Sequence, residues 1–376
     1  MRRALELARM AQGRTSPNPP VGAVVVNGGR IVGEGHTQPA GSWHAEVVAL
    51  RQAGYQARGA SLYVTLEPCC HHGRTPPCTK AIIEAGVATV HVATIDPNQL
   101  VDGKGLRELE AAGVEVVVGE AEADALEVVE AFATYVATGL PFFTLKWAMS
   151  LDGKIAAWSG DSKWITCEAA RAYGHELRDT SDAIMVGVNT IAADNSQLTV
   201  RLAQNLRPAR PSGPLRVVVD STGRIPPSAR VLAPDLAIGT VVATTQRCGD
   251  VTRRVLEERG AEVLVLPERQ GRVDLRALAL ALAQRGVVHV LVEGGGTLIG
   301  ALLDEGLGDK IYSFVAPVII GGRGAPGPVG GEGVERIAQA FRLRDVRVER
   351  VSDDLLVVGY IGNALERSAG ACPNTA

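Results

Sequence analysis

The chain has 376 residues, 46% of them apolar and 21% charged, which fits an ordinary globular protein of about two domains. Its net charge is −3, without the basic excess an obligate nucleic-acid partner requires, and no apolar run reaches the 18 or so residues that cross a bilayer. Of six cysteines, three crowd into residues 69–78, which suits metal binding better than a disulfide framework and predicts a reducing, cytoplasmic location.

The opening stretch, MRRALELARMAQGR, predicts an amphipathic helix with Leu5, Ala8 and Ala11 on one repeat, not a signal peptide. Pro17 to Pro20 break it. Residues 21–26 form a β-branched strand, Asn27-Gly28-Gly29 a hairpin turn, and 30–35 the returning strand. Helical spacing follows over 44–53 and stops at Gly54. A strand over 61–66 leads into the cysteine loop, then into a helix closed by Gly86. Residues 89–94 and 114–118 are strands, with helices over 106–112 and 120–138. This alternation predicts an α/β sandwich with much of its sheet parallel.

Within this frame His44, Glu46, Cys69 and Cys78 make a constellation: His-x-Glu, then Pro-Cys, eight residues, Cys. One histidine and two cysteines hold zinc and leave its fourth position open for water. His44 and Cys78 are expected at the starts of two helices and Cys69 just past a strand. Two helix N-termini then face one point and favour thiolate. Zinc lowers the pKa of bound water from about 15.7 towards about 7. Glu46 is placed to move that proton, a role worth about 100- to 10,000-fold. The order H-x-E…P-C-x-x-C marks zinc deaminases of nucleobases, here with a longer gap between the cysteines. Two blander readings compete. His-x-Glu alone arises by chance, and a structural zinc would take a fourth ligand from Cys70, His71 or His72. The matched order and the strand–loop–helix frame favour the open site.

Gly139-Leu140-Pro141 reads as a linker, dividing a first domain (1–140) from a second (141–362), with a loose tail over 363–376. The second domain predicts strands over 142–147, 183–188 (leading to Asn189-Thr190), 215–220, 239–244, 261–266, 288–292, 310–315 and 355–360. Helices are expected over 169–179, 276–286 and 297–303. Glu293-Gly294-Gly295-Gly296 lies between a buried strand and a helix start, a place where backbone N–H groups cradle phosphate. The fingerprint G-x-G-x-x-G is absent, so this signal alone is weak. Lys146, Lys154, Arg178 and Arg201 fall in segments that should line the same sheet edge, where phosphates need such groups.

The segments PNPPVGAVVV, HAE, VTLEPCCHHGRTPPCTKAII and DPNQLVDGKG closely resemble the deaminase half of the bifunctional riboflavin-biosynthesis deaminase/reductases. LKWAMSLDGKIA, GDSKWIT, VGVNTIAADNSQLTVR and LVEGGGTLIGALL resemble the reductase half. The resemblance implies a cytidine-deaminase-like α/β/α sandwich followed by a dihydrofolate-reductase-like α/β domain. It implies one zinc on His44, Cys69 and Cys78, Glu46 as catalytic acid/base, and Asn18 at the substrate ribose. His71, His72 and Arg74 would lie at the substrate mouth. NADPH would touch Ala148, Trp164, Thr190, Asp194, Gly295, Gly296, Thr297, Leu298, Ile299, Gly300 and Ala301. Substrate would touch Ser162, Arg178, Leu198, Arg201 and Glu293. The chain departs from the family pattern at Cys70 and Cys167, where serine is usual, and at His36-Thr37, where Tyr-His is common.

The activity so implied is zinc-dependent deamination of 2,5-diamino-6-(5-phosphoribosylamino)pyrimidin-4-one to 5-amino-6-(5-phosphoribosylamino)uracil, then NADPH-dependent reduction of ribosyl to ribityl. The expected partner is that small molecule, with no nucleic acid and no membrane, and the expected assembly is a homo-oligomer. Two other function classes differ in what they require. A nucleic-acid-editing deaminase with an accessory binding domain needs a basic, aromatic-bearing surface, yet aromatics are 4% and the net charge is negative. A non-catalytic zinc-stabilised protein needs a fourth protein ligand.

Overall fold

The computed structural model describes residues 1–73, 75–205, 207 and 213–362, so Arg74 and the expected tail lie outside the described residues. The chain divides into two compact units. One holds Met1–Gly139 and the described residues of Gln204–Arg210; the other holds Leu140–Ala203 and the described residues from Gly213 onward.

In the first unit, helix α1 (Arg2–Ala11) buries Leu5, Ala8 and Ala11 as its spacing predicts. Strands β1 (Gly22–Asn27) and β2 (Arg30–His36) form the hairpin, with Gly28 and Gly29 in left-handed backbone at φ 55° and 75°. Then come α2 (Ala45–Ala53), β3 (Ser61–Val64), α3 (Cys78–Ala85), β4 (Thr89–Val92), α4 (Lys104–Ala111), β5 (Glu115–Val118) and α5 (Glu122–Thr138). The sheet order is β2-β1-β3-β4-β5. β3, β4 and β5 are parallel, and β1 is antiparallel to both its neighbours.

Small residues set where α2 lies. Ala45, Ala49 and Ala53 recur every four residues on one face, and all are buried. They meet β2 at Gly33 and Gly35, where an added Cβ would collide with the carbonyl oxygens of Ala49 and Ala45. The helix therefore sits directly on strand backbone, and its first turn has one place to go.

The second unit begins with β6 (Phe142–Ser150), α6 (Glu168–Thr180), β7 (Ala183–Gly187), α7 (Val188–Asp194) and β8 (Leu215–Val219). It continues through α8 (Pro234–Ala237), β9 (Thr240–Thr244), α9 (Asp250–Glu258), β10 (Glu262–Val265) and the small hairpin β11 (Glu268–Arg269) and β12 (Arg272–Val273). It closes with α10 (Leu275–Gln284), β13 (His289–Val292), α11 (Gly296–Asp304), β14 (Lys310–Ala316), β15 (Leu343–Val351) and β16 (Asp354–Ile361). One nine-stranded sheet runs β10-β9-β8-β7-β13-β6-β14-β16-β15. It is parallel from β10 to β14, and β16 is antiparallel to both β14 and β15. Apolar layers cover both faces: Met185 and Val217 pack with α10 and α11, while their neighbours Ile184, Val186 and Val218 pack with Leu256 of α9.

Several elements differ from the sequence-based expectation. β6 runs on to Ser150, Val188 starts helix α7 rather than ending a strand, and α8, α9, the small hairpin β11–β12 and the edge strand β15 are additional.

Candidate active sites

His44 is the N-cap of α2, in extended backbone, and its carbonyl accepts the Val48 N–H at 3.1 Å. Glu46 stands in the first turn and is only 4% exposed. Cys78 is the first residue of α3, and Cys69 lies in the loop after β3. Gly22 pairs with His36 and Ala23 with Val64. The turn carrying Asn18 therefore enters the sheet at the edge from which the cysteine loop leaves.

The donor atoms converge. His44 Nδ1 lies 3.5 Å from Cys69 Sγ and 3.3 Å from Cys78 Sγ, and the three ligand atoms all fall within 4.8 Å of one another. Zn–S bonds of about 2.3 Å and Zn–N bonds of about 2.0 Å put neighbouring corners of a tetrahedron about 3.5 Å apart, so the donor set and spacing fit zinc. Among the described residues Cys70, His71 and His72 do not join this group. Cys70 Sγ faces the Leu100 carbonyl instead, at 4.0 Å.

Two features hold the cysteine loop. The Cys78 N–H donates to Cys69 Sγ at 3.4 Å, and the Thr79 N–H donates to the Cys69 carbonyl at 3.2 Å. Glu67, which the sequence reading passed over, is 3% exposed and accepts the N–H groups of Gly103 and Gly105 at 2.9 Å and of Asp96 at 3.2 Å. Its carboxylate ties the loop after β4 and the start of α4 to the metal loop. The only signal in the sequence was its place in LEPCC.

The electrostatics suit a cation beside a proton carrier. Burial pushes the Glu46 carboxyl up to about 7. Hydrogen bonding from Cys78, against the opposing effect of burial, holds the Cys69 thiol well below its ordinary value, while the same pairing pushes Cys78 up. Hydrogen bonding with Cys69 raises His44 to about 8.

In the second unit, Arg178 from the last turn of α6 pairs with Glu293 just past β13, through Nε–Oε1 at 2.6 Å and Nη2–Oε2 at 2.5 Å. Its Nη1 donates to the Thr199 carbonyl at 2.8 Å. Burial raises Glu293, but Arg178 and Lys146 beside it hold the carboxyl below its usual range. Burial pushes Lys146 down. The Arg201 N–H donates to His175 Nδ1 at 3.2 Å, and burial with Arg178 and Arg201 pushes His175 down to about 4. His175 and Thr199 were not among the expected contacts. Lys154 stands apart, donating to the Ala325 carbonyl at 3.1 Å.

The expected cofactor residues also gather, in part. Gly295 is the N-cap of α11, and Thr190 Oγ1 lies 3.3 Å from where a Cβ on Gly295 would stand. A Cβ on Gly296 would meet the Gly327 carbonyl at 3.0 Å, and one on Gly300 would collide with that of Gly330. Glycine at 296 and 300 thus lets the backbone of 327–331 lie directly against the start of α11. Thr297, Leu298, Ile299 and Ala301 follow on α11, where Leu298 and Ile299 turn into the core. Ser162 Oγ donates to Asp194 Oδ1 at 3.2 Å, and Leu198 is buried. Ala148 packs around Phe314. Trp164 is 70% exposed, with the Arg171 guanidinium 4.6 Å over its ring.

Residues 1–94 match the family model for the cytidine and deoxycytidylate deaminase zinc-binding region, and residues 141–357 match the RibD C-terminal domain. Fold and sites thus define a two-part α/β enzyme, with a deaminase domain followed by a reductase domain. The riboflavin biosynthesis protein RibD of Aquifex aeolicus is 44% identical over 95% of this chain and 96% of its own length. Acinetobacter baumannii RibD superimposes with a TM-score of 0.83 at 39% identity, covering 96% of this chain and 98% of that one. A Thermotoga maritima structure gives 0.82 at 36% identity over 96% and 97% of the two chains. It is described as a diaminohydroxyphosphoribosylaminopyrimidine deaminase/5-amino-6-(5-phosphoribosylamino)uracil reductase. The chain belongs to the RibD family and is a bifunctional riboflavin-biosynthesis member of it.

Proposed function

We propose that the first domain (1–140) hydrolyses the exocyclic 2-amino group of 2,5-diamino-6-(5-phosphoribosylamino)pyrimidin-4-one with zinc. The second (141–362) then reduces the product's ribosyl group to ribityl with NADPH. The observation that carries the first half is the convergence of His44, Cys69 and Cys78 beside buried Glu46. Zinc, when bound, makes water a nucleophile near neutral pH. Glu46 would carry one proton of that water to the ring nitrogen and then the second, from the hydroxyl left on the ring carbon, to the departing amine, which leaves as ammonia. His44 and the two cysteines hold the ion, and the Cys78 N–H orients Cys69. Asn18, on the same sheet edge, contacts the ribose.

NADPH supplies hydride to the second reaction. The glycine cradle before α11 takes its phosphates, with Thr190, Asp194, Ala148 and Trp164 along its length. Arg178, Arg201, Ser162, Leu198 and Glu293 hold the substrate, with Arg178 fixed by Glu293. The chain works as a homo-oligomer in the cytoplasm, where its five described cysteines remain free thiols. No helix among the described residues is long and apolar enough to cross a membrane.

The test supplies the diamino substrate with and without NADPH and follows ammonia and NADPH absorbance separately. Ammonia should appear in both cases, and NADPH should be consumed only after it. Consumption of NADPH without ammonia release contradicts the order.

A further inference from the structure

We propose that His175 is a positioning residue of the second site: its ring holds the backbone of Arg201 and so decides where that guanidinium meets substrate. The proposal rests on the reading of Arg178, Leu198 and Arg201 as substrate contacts.

Residues 195–202 form neither helix nor strand, yet they carry two of those contacts. Their start is fixed from elsewhere. The Arg230 N–H donates to Asn195 Oδ1 at 2.8 Å, and Leu198 sits in the core at φ 53°. Beyond Leu198 burial fades: Thr199 and Val200 are half-buried and Arg201 is exposed. There α6 takes hold. Arg178 Nη1 donates to the Thr199 carbonyl at 2.8 Å, and His175 Nδ1 accepts the Arg201 N–H at 3.2 Å. Residues 175 and 178 are three apart and so neighbours on one helix face. Two side chains of one helix thus grip two backbone groups of the segment, an acceptor and a donor.

The gripping turn is itself fixed. Arg178 is locked to Glu293, and Gly174 lets Lys146 lie against the helix, its Nζ 3.8 Å from where a Cβ would stand. Arg201 depends on such a grip. Its side chain reaches back to Thr199 Oγ1 at 3.2 Å, a partner in the same segment. A long, exposed arginine meets one point reproducibly only if its own backbone is held, because its rotamer freedom is large.

Histidine is the acceptor that suits the place. With Nδ1 accepting, the ring is neutral and carries its proton on Nε2. Burial, Arg178 and Arg201 keep it neutral by pushing it down to about 4, against the opposing pull of Glu293. A carboxylate would accept the same N–H but would set a second negative charge beside Glu293 and repel a phosphorylated substrate.

The test is steady-state reduction of the deaminated intermediate by the full chain, with calorimetric NADPH binding as the sign that the second unit is folded. His175→Leu should raise KM for the intermediate by about 5- to 50-fold, the range for stranding a backbone donor, with kcat and NADPH affinity within about threefold. His175→Asn, which sets an amide oxygen where Nδ1 stood, should bring KM back to within about threefold of the unmodified chain. His175→Leu added to Arg201→Gln should cost less than about twofold beyond Arg201→Gln alone, because the ring acts through Arg201. If the leucine variant does not bind NADPH, His175→Ala takes its place. An unchanged KM, additive losses, equal loss in the leucine and asparagine variants, or a loss in kcat alone overturns the positioning role while the substrate reading stands. If Arg201→Gln leaves KM unchanged, the reading of Arg201 as a substrate contact falls and the proposal with it.

Discussion

The backbone N–H of Cys78 points at the sulfur of Cys69, 3.4 Å away. In the proposed zinc site one residue would thus supply a ligand of its own and orient its neighbour's, and both tasks depend on α3 starting where it does. Cys78→Ser keeps the N–H but replaces a thiolate with a hydroxyl. Zinc affinity should fall by more than the roughly 10- to 100-fold that loss of a ligand's hydrogen-bond partner costs. Zinc per chain, measured after dialysis against a competing chelator, checks this. Full zinc retention contradicts the ligand set.

Gly35→Ala isolates the role of helix placement. The new methyl would collide with the Ala45 carbonyl oxygen, one residue from His44 and from Glu46. The strand must part from α2, at a cost of about 1–3 kcal/mol. Denaturant unfolding should show that loss, and ammonia release should drop while reduction of the deaminated intermediate holds. A variant with unchanged deamination shows that the close approach does not position the site.

Glu67→Gln leaves one carbonyl oxygen where two carboxylate oxygens accept the N–H groups of Asp96, Gly103 and Gly105. The amide brings N–H groups towards other N–H groups, and the expected cost is about 1–3 kcal/mol. Thermal unfolding measures it, and zinc affinity should fall with it, because the same carboxylate anchors the loop two residues before Cys69. A stable variant with lower zinc affinity would place Glu67 as a positioning residue alone.

His175 makes the second unit sensitive to acid. Burial, Arg178 and Arg201 hold it down to about 4, against 6.5 for an ordinary histidine. Between those values the unfolded chain binds a proton that the folded chain refuses, so stability is fully present above about 6.5 and falls as pH drops towards 4. His175→Gln should flatten this part of the profile of urea midpoint against pH. An unaltered slope assigns the acid sensitivity to other groups.

The convergence of His44, Cys69 and Cys78 was readable because these residues sit where local rules speak clearly. His44 precedes an alanine-spaced helix, and Cys78 opens another that Gly86 closes. β15 was not readable because seven of its nine residues, 344–350, are exposed, so neither face shows a buried repeat and only its two ends are partly covered. α9 is charged along most of DVTRRVLEE and buries only Leu256. α7 was mistaken because Val188, Thr190 and Ile191 are β-branched and continue the strand pattern of β7 until tertiary packing turns them into a helix. Glu67 was missed because its partners lie up to 39 residues away in the chain.

The proposed function rests its first reaction on Glu46 and its second on other residues, so Glu46→Gln is the sharpest test. Ammonia release from the diamino substrate should fall by about 100- to 10,000-fold. Reduction of the separately supplied deaminated intermediate, followed by NADPH absorbance, should proceed as in the unmodified chain, with zinc still bound. Parallel loss of both reactions, or ammonia release at the original rate, contradicts the account.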